Sequence, residues 1–252
     1  MPVRLVTSDS HLIDLLERRY AGFLNPTAAS AYEFDVSIVP PGRFSADADL
    51  DVRVDAGRWS LERGDFRAEW NSRTQRGWIQ QAVNPYAVDS VLRIVHTLLL
   101  ASRGGFLLHA ASGIRAGRAF VFTGRSGAGK TTIARLAPPD ATLLSDEISY
   151  VRKVDDAYVA FGTPFAGELG ASGERVSAPV HAIYQLAWGE RHRLERLDET
   201  DAVRTLMRNI LFFADDAELA GQVFQTACQV AATLPVYRLT FAPDASVWDA
   251  IA

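Results

Sequence analysis

An α/β protein with a mixed β-sheet, preceded by a β-rich segment, is what the sequence predicts, and three observations predict it. The run GRSGAGKT, Gly124 to Thr131, sits between an apolar strand candidate, Ala119-Phe120-Val121-Phe122, and a helix candidate, Thr131-Thr132-Ile133-Ala134-Arg135-Leu136. Strand candidates outnumber helices and come as hairpins, unlike the strict alternation of a doubly wound sheet. The first third alternates apolar and polar residues with period two, as an antiparallel sheet with one solvated face does. The shift in pattern at Asn84-Pro85 divides the chain into an N-terminal antiparallel β-rich subdomain, 1–84, and a nucleotide-binding core, 85–252.

The elements follow in order. Asp9 or Ser10 caps a first helix whose apolar face is Leu12, Ile13, Leu15, Leu16 and Tyr20, ending before Asn25-Pro26. Phe34, Val36 and Ile38 alternate with Asp35 and Ser37, and Leu50, Val52 and Val54 with Asp51 and Arg53. Trp59 and Leu61 face Phe66, Ala68 and Trp70 across a turn at Gly64-Asp65, and Gly77 to Val83 adds another strand. These tryptophans read as sheet packing. Asn84 and Pro85 open a helix in which Val88, Val91, Leu92, Val95, Leu98 and Leu99 recur at helical spacing. Phe106–Ala110 and Ala119–Thr123 form strands joined around Ala116-Gly117. Further strands are predicted at 148–154, 158–161, 183–188, 193–197 and 236–241, with helices over 200–212 and 217–233.

The chemistry concentrates in the glycine-rich run. Gly124, Gly127 and Gly129 adopt backbone angles closed to other residues, so successive N–H groups can turn inward around phosphate oxygens, aided by the following helix dipole. Lys130 adds a positive charge that reaches terminal phosphates, and the Thr131 hydroxyl is placed to ligate Mg2+, which takes few protein oxygens alongside phosphate. The expected nucleotide-binding set is Gly124, Arg125, Ser126, Gly127, Ala128, Gly129, Lys130, Thr131 and Thr132. Ala141 to Glu147 is an apolar run ending in two carboxylates. It is expected to be a second parallel strand beside the phosphate loop, with Asp146 delivered to the metal. Pro138-Pro139 must stop the intervening helix soon after Leu136.

The bulk properties narrow the class. At 252 residues and 48% hydrophobic content the chain can bury a core, and a net charge of −4 argues against a general nucleic-acid binder. The single cysteine, Cys228, cannot pair within the chain and reads as a buried thiol in a reducing cytoplasm. No secretory signal is visible, and 88–101, the most apolar helix, carries Asp89, Arg93 and His96 and is too short to cross a bilayer. His11, His96, His181 and His192 make no metal-ligand spacing.

Leu107-Leu108-His109-Ala110-Ala111, the hairpin through Gly117, the loop GRSGAGKT and Leu143-Leu144-Ser145-Asp146-Glu147 together resemble the kinase core of the HPr kinase/phosphorylase family. That core is related to the nucleotide-binding domain of phosphoenolpyruvate carboxykinase. The resemblance covers about Phe106 to Val151. It implies a kinase using ATP and Mg2+, with Asp146 as the base that accepts the substrate hydroxyl proton, Lys130 on the phosphates and His109 close to the reacting phosphate. It further implies a metal set drawn from Thr131, Asp146, Glu147 and Glu168, the last from the turn-rich stretch 161–168. The family usually carries two aspartates where this chain has Asp146-Glu147. The residues themselves are compatible with phosphoryl transfer, which needs charge stabilisation, an in-line acceptor and a group to orient it.

The acceptor is left open: a serine of a protein or peptide, including a precursor peptide of a biosynthetic cluster, or a small hydroxyl compound. So are ATP against GTP, a reverse phosphorolysis and the oligomeric state, a homo-oligomer among the alternatives. The rival readings are a non-catalytic module that binds a peptide or protein when ATP is bound, and a hydrolase using water.

Overall fold

The structure is a computed structural model and describes residues 1–39, 49–84, 86–170 and 172–251. Two compact units are present, Met1–Val95 with Phe213–Asp216, and His96–Phe212 with Ala217–Ala252. The division lies inside the helix Tyr86–Ala101 (α2), further along the chain than the shift in pattern at 84/85.

In the first unit, Val3–Val6 (β1), Tyr32–Ile38 (β2), Asp51–Asp55 (β3), Arg58–Arg63 (β4), Phe66–Asn71 (β5) and Arg76–Gln81 (β6) form one sheet in the order β1-β2-β6-β5-β4-β3. β3 to β6 are the expected antiparallel meander. The rest corrects the expectation, because β2 pairs with β6, and β1 with β2, in parallel. The sheet is therefore mixed. Its packed face carries Phe34, Trp59, Leu61, Phe66, Ala68, Trp70 and Ile79, all buried, with Tyr32 and Trp70 edge to face at 5.7 Å.

Helix Ser10–Arg19 (α1) begins where Asp9 accepts from the Leu12 amide at 2.9 Å, an N-cap that satisfies one orphan donor. At its end Arg19 Nε donates to the buried Asp89 carboxylate of α2 at 2.9 Å, and the Tyr20 hydroxyl donates to the same group. Burial, with Asp89 beside it, pushes the Tyr20 hydroxyl well above its ordinary pKa, so it stays a neutral donor. Asn84 caps α2 through the Ala87 amide at 2.9 Å, while the expected helix-opening Pro85 lies outside the described residues.

The second unit is built on a mixed sheet whose main path uses Ala157–Phe161 (β11), Ile148–Val154 (β10), Gly105–Arg115 (β7), Arg118–Thr123 (β8), Ser177–Trp188 (β12), Val236–Phe241 (β15) and Arg193–Arg196 (β13), in that spatial order. β8, β12 and β15 are parallel neighbours, and β7 runs antiparallel to β8. β12 also pairs at its start with β11, so the path turns back on itself. Thr142–Ser145 (β9) pairs with β7, not with β8. The acid-bearing strand thus shares the direction of β8, but β7 lies between them, which corrects the expected neighbouring strand.

Helix Lys130–Arg135 (α3) ends before Pro138-Pro139 as expected, and Glu199–Asn209 (α4) and Ala217–Thr233 (α5) pack on the other face. α4 is shorter than the predicted 200–212, because Ile210 leaves helical angles and Ile210–Leu211 (β14) pairs with Leu108 and Leu107. Val247–Ile251 (α6), absent from the sequence reading, covers α3: Trp248 Nε1 donates to the Ile133 carbonyl at 3.0 Å, and its ring packs on Phe120 and Phe122. Cys228 on α5 is half-buried where a buried thiol was expected.

Candidate active site

The glycine-rich loop grows directly out of β8. The buried run Ala119 to Thr123 fixes the strand, and Thr123 Oγ1 donates to the His109 carbonyl at 2.9 Å, pinning the strand end to β7. The loop then curls on itself, with the Ala128 amide donating to the Arg125 carbonyl at 3.1 Å. Gly129 precedes α3 at φ +102°, and a Cβ there would lie 2.7 Å from Phe241 Cζ and 3.0 Å from Trp188 Cζ2. Both backbone and space demand glycine at this position.

Lys130 is buried, its Nζ donating to the Gly124 carbonyl at 2.9 Å and to the Arg125 carbonyl at 3.3 Å. Burial lowers its pKa, opposed by the charges of Glu147 and Glu168. The ammonium is thus folded into its own loop, close enough to Glu147 and Glu168 to feel their charge. Thr131 Oγ1 donates to Glu168 Oε2 at 3.1 Å. Arg125, Ser126 and Gly127 are exposed at the loop apex.

The acids sit on a step that keeps register, since the pairs Ser145–Ser112 and Ile148–His109 enclose two residues on each strand, and the bulge lies just before them at Leu144. β9 and β10 follow one another along a single edge of β7, opposite Ser112–Ile114 and then His109–Gly105, and Asp146 and Glu147 are the residues that interrupt the ladder. Ser145 Oγ accepts from the Glu147 and Ile148 amides at 3.2 and 2.9 Å, and the Glu147 carbonyl still accepts from Ala110 N at 2.9 Å. The buried Asp146 carboxylate accepts from Gly167 N with one oxygen and Leu169 N with the other, both at 2.8 Å. It holds the loop that presents Glu168. A Cβ on Gly167 would sit 2.8 Å from Glu147 Cβ and 2.9 Å from the Asp146 oxygen, so only glycine lets the loop approach this closely.

The sequence reading is therefore divided. Lys130, Thr131 and Glu168 come together at the mouth of the loop. Asp146 stands behind Glu168, with both oxygens engaged by the backbone. Among the described residues no group of three or more His, Cys, Asp or Glu side chains could hold a metal ion. Asp146, Glu147 and Glu168 do not form a joint cage, and the oxygen-bearing side chains in direct contact are those of Thr131 and Glu168. These are hard oxygen donors of the kind Mg2+ accepts beside phosphate. His109 pairs with Ile148 one residue before Ala110, which pairs with Thr123, and strand alternation sets it on the same face as Ala111. His96, His181 and His192 have structural contacts: His96 with the Tyr150 ring, His181 with Phe120 and Arg118, His192 with Asp244 and Ser246.

Two residues that the sequence reading placed only on strands, Trp188 and Phe241, border the loop. Trp188 ends β12, stacks on Phe241 with centroids 4.8 Å apart, and donates Nε1–H to the Gly127 carbonyl at 2.8 Å. Its one sequence signal is a tryptophan at the end of a strand parallel to β8, which local patterning does not separate from core packing.

Residues 79–252 match the family model described as SynChlorMet cassette protein ScmC. The chain belongs to that family. The ScmC match takes in the loop, the acid-bearing step and Trp188, and leaves most of the first unit outside it. No curated protein matches this ScmC-family chain. Among solved structures it is similar to the Hpr(Ser) kinase/phosphatase from Coxiella burnetii at 14% identity and a TM-score of 0.28, over 50% of this chain and 92% of that one. No helix among the described residues is long and apolar enough to cross a membrane.

Proposed function

We propose that this protein is an ATP-dependent phosphotransferase that uses Mg2+ to move the γ-phosphate to a hydroxyl of a protein, peptide or small molecule. The observation that carries the reading is the meeting of Thr131 and Glu168 at 3.1 Å at the mouth of a glycine-built loop that encloses Lys130. The loop amides and Lys130 hold the phosphates. Thr131 and Glu168 would hold Mg2+, which supplies neutralisation of charge building on the transferring group. The sequence likeness to HPr kinase/phosphorylase cores supports the same assignment.

In the transfer, the acceptor oxygen bonds to the γ-phosphorus as the bond to the bridging oxygen breaks, and the hydroxyl proton passes to a carboxylate. Asp146 serves as that base when the 167–169 loop releases one of its oxygens. With the loop closed, it is a positioning residue for Glu168. The same engagement of both oxygens favours a second reading, a non-catalytic module that holds a peptide or protein partner when nucleotide is bound.

Incubation with γ-labelled ATP and source-cell lysate separates the two. Kinase function gives a labelled acceptor with wild-type protein, none with Lys130→Ala, and a label lost with Asp146→Asn although Mg-ATP still binds. An ATP-dependent partner that never gains phosphate overturns the kinase reading in favour of the binding module.

A further inference from the structure

The phosphate loop has two flanks, set by strand order. β7, with the acid-bearing step at Asp146-Glu147 and the Glu168 loop, lies on one side of β8, and β12 and β15 lie on the other. A triphosphate tail that points its terminal group toward Thr131 and Glu168 directs the remainder of the nucleotide away from the acids. On the far flank, Gln185 pairs with Thr123 and Trp188 with Phe241, which carries Trp188 roughly 10 Å past the end of β8, level with the loop.

Trp188 has the form of a platform. One face rests on Phe241, whose ring is fully buried, at 4.8 Å and 25° between planes. Its only polar group is spent on Gly127, and the absent side chain of Gly129 makes room for the ring edge. The residue is nonetheless 49% exposed. A tryptophan serving only as packing would bury more of its surface, and a mobile surface tryptophan would not be fixed at once from behind and at its edge. What remains is a rigid apolar plane open to solvent beside the phosphate loop. Aromatic planes of this kind hold bases by stacking, and they tolerate any base because every base has a π-face.

We propose that Trp188, backed by Phe241, stacks against the nucleobase of the bound nucleotide. The inference rests on the phosphate-binding reading of the loop and extends it to the other end of the ligand. With Nε1–H committed to Gly127, Trp188 offers no hydrogen-bond readout of its own, so its contribution is equal for adenine and guanine.

Calorimetric titration with Mg-ATP, Mg-GTP and inorganic Mg-triphosphate tests this on the whole chain. Wild type binds both nucleotides on the order of tenfold or more tighter than triphosphate, as one stacked base would give. Trp188→Ala removes that advantage and leaves triphosphate affinity unchanged. Trp188→Phe, which keeps a ring but cannot donate to Gly127, retains most of it. Equal loss of nucleotide and triphosphate binding in Trp188→Ala would show that the indole merely props the loop, and overturns the platform. So does a wild type that binds triphosphate as tightly as ATP, although the phosphate cradle then stands. A wild type that binds none of the three overturns the cradle and the platform together.

Discussion

The acid flank and the aromatic flank of the glycine-rich loop are built by opposite means. On the first, a serine hydroxyl and a carboxylate accepting two amides hold the step at Asp146-Glu147 and the 167–169 loop, and glycine at 167 lets the pieces close up. On the second, Trp188 and Phe241 lean ring on ring behind the loop. Hydrogen-bonded positioning is directional and fails when one acceptor becomes a donor, whereas stacking is forgiving of chemistry and intolerant of lost area. The flank suited to metal and proton chemistry is thus the directional one, and the flank suited to holding a flat ligand is the apolar one.

Four substitutions sharpen that contrast. The largest effect is expected from Gly129→Val, which forces a side chain into a left-handed position against Phe241 and Trp188. It should cost about 3 kcal/mol or more in denaturant unfolding and abolish nucleotide binding, because loop and aromatic flank are displaced together. Asp146→Asn comes next: an amide cannot accept from both Gly167 and Leu169, and one unsatisfied donor costs about 1–3 kcal/mol. Hydrogen exchange should speed up at 167–169 and stay unchanged at Trp188 and Phe241. Equal loosening on both flanks would show that they are not independent.

Glu168→Gln should leave stability within about 0.5 kcal/mol, since the residue is exposed, and weaken the Mg2+ dependence of ATP binding several-fold. Magnesium dependence identical to wild type removes Glu168 from the metal site. The smallest effect concerns Lys130. Its folded pKa is lowered by burial, so the unfolded chain binds the proton more tightly. The charged side chain therefore subtracts stability at neutral pH, and that loss is relieved as pH rises from the folded value toward 10.5, the ordinary lysine value. The stability of Lys130→Met relative to wild type should fall as pH rises through this window, read from urea midpoints at matched pH.

The legibility of the molecule follows from the range of its interactions. Gly124 to Thr131 and the strand and helix around it could be read because backbone geometry, charge and hydroxyl all lie within one short segment. The meander from β3 to β6 was equally legible, since hairpin partners adjoin in sequence. The parallel pairing of β1 and β2 was not, because alternation tells which face a residue takes and not which distant strand lies beside it. Likewise, 142–145 and 148–154 look like separate strands until β7 shows them to be one edge with an interruption. Asp146 was found as an acid, but its bonds to the amides of 167 and 169 join segments that no local pattern connects. Trp188 was placed on its strand and passed over, since only the third dimension separates a packing indole from one half-exposed beside the loop.

The step between Ser145 and Ile148 is strict about length, because two residues on each strand separate its flanking pairs with β7. Glu147 can change character without moving its neighbours. Removal of one residue would turn every side chain of Ile148 to Val154 to the opposite surface, driving Val151 out of the interior and dragging Thr163, whose hydroxyl donates to the Ile148 carbonyl, along with it. Variation among related chains should accordingly run to substitutions at 147, with Asp146 kept and insertions and deletions excluded from that step.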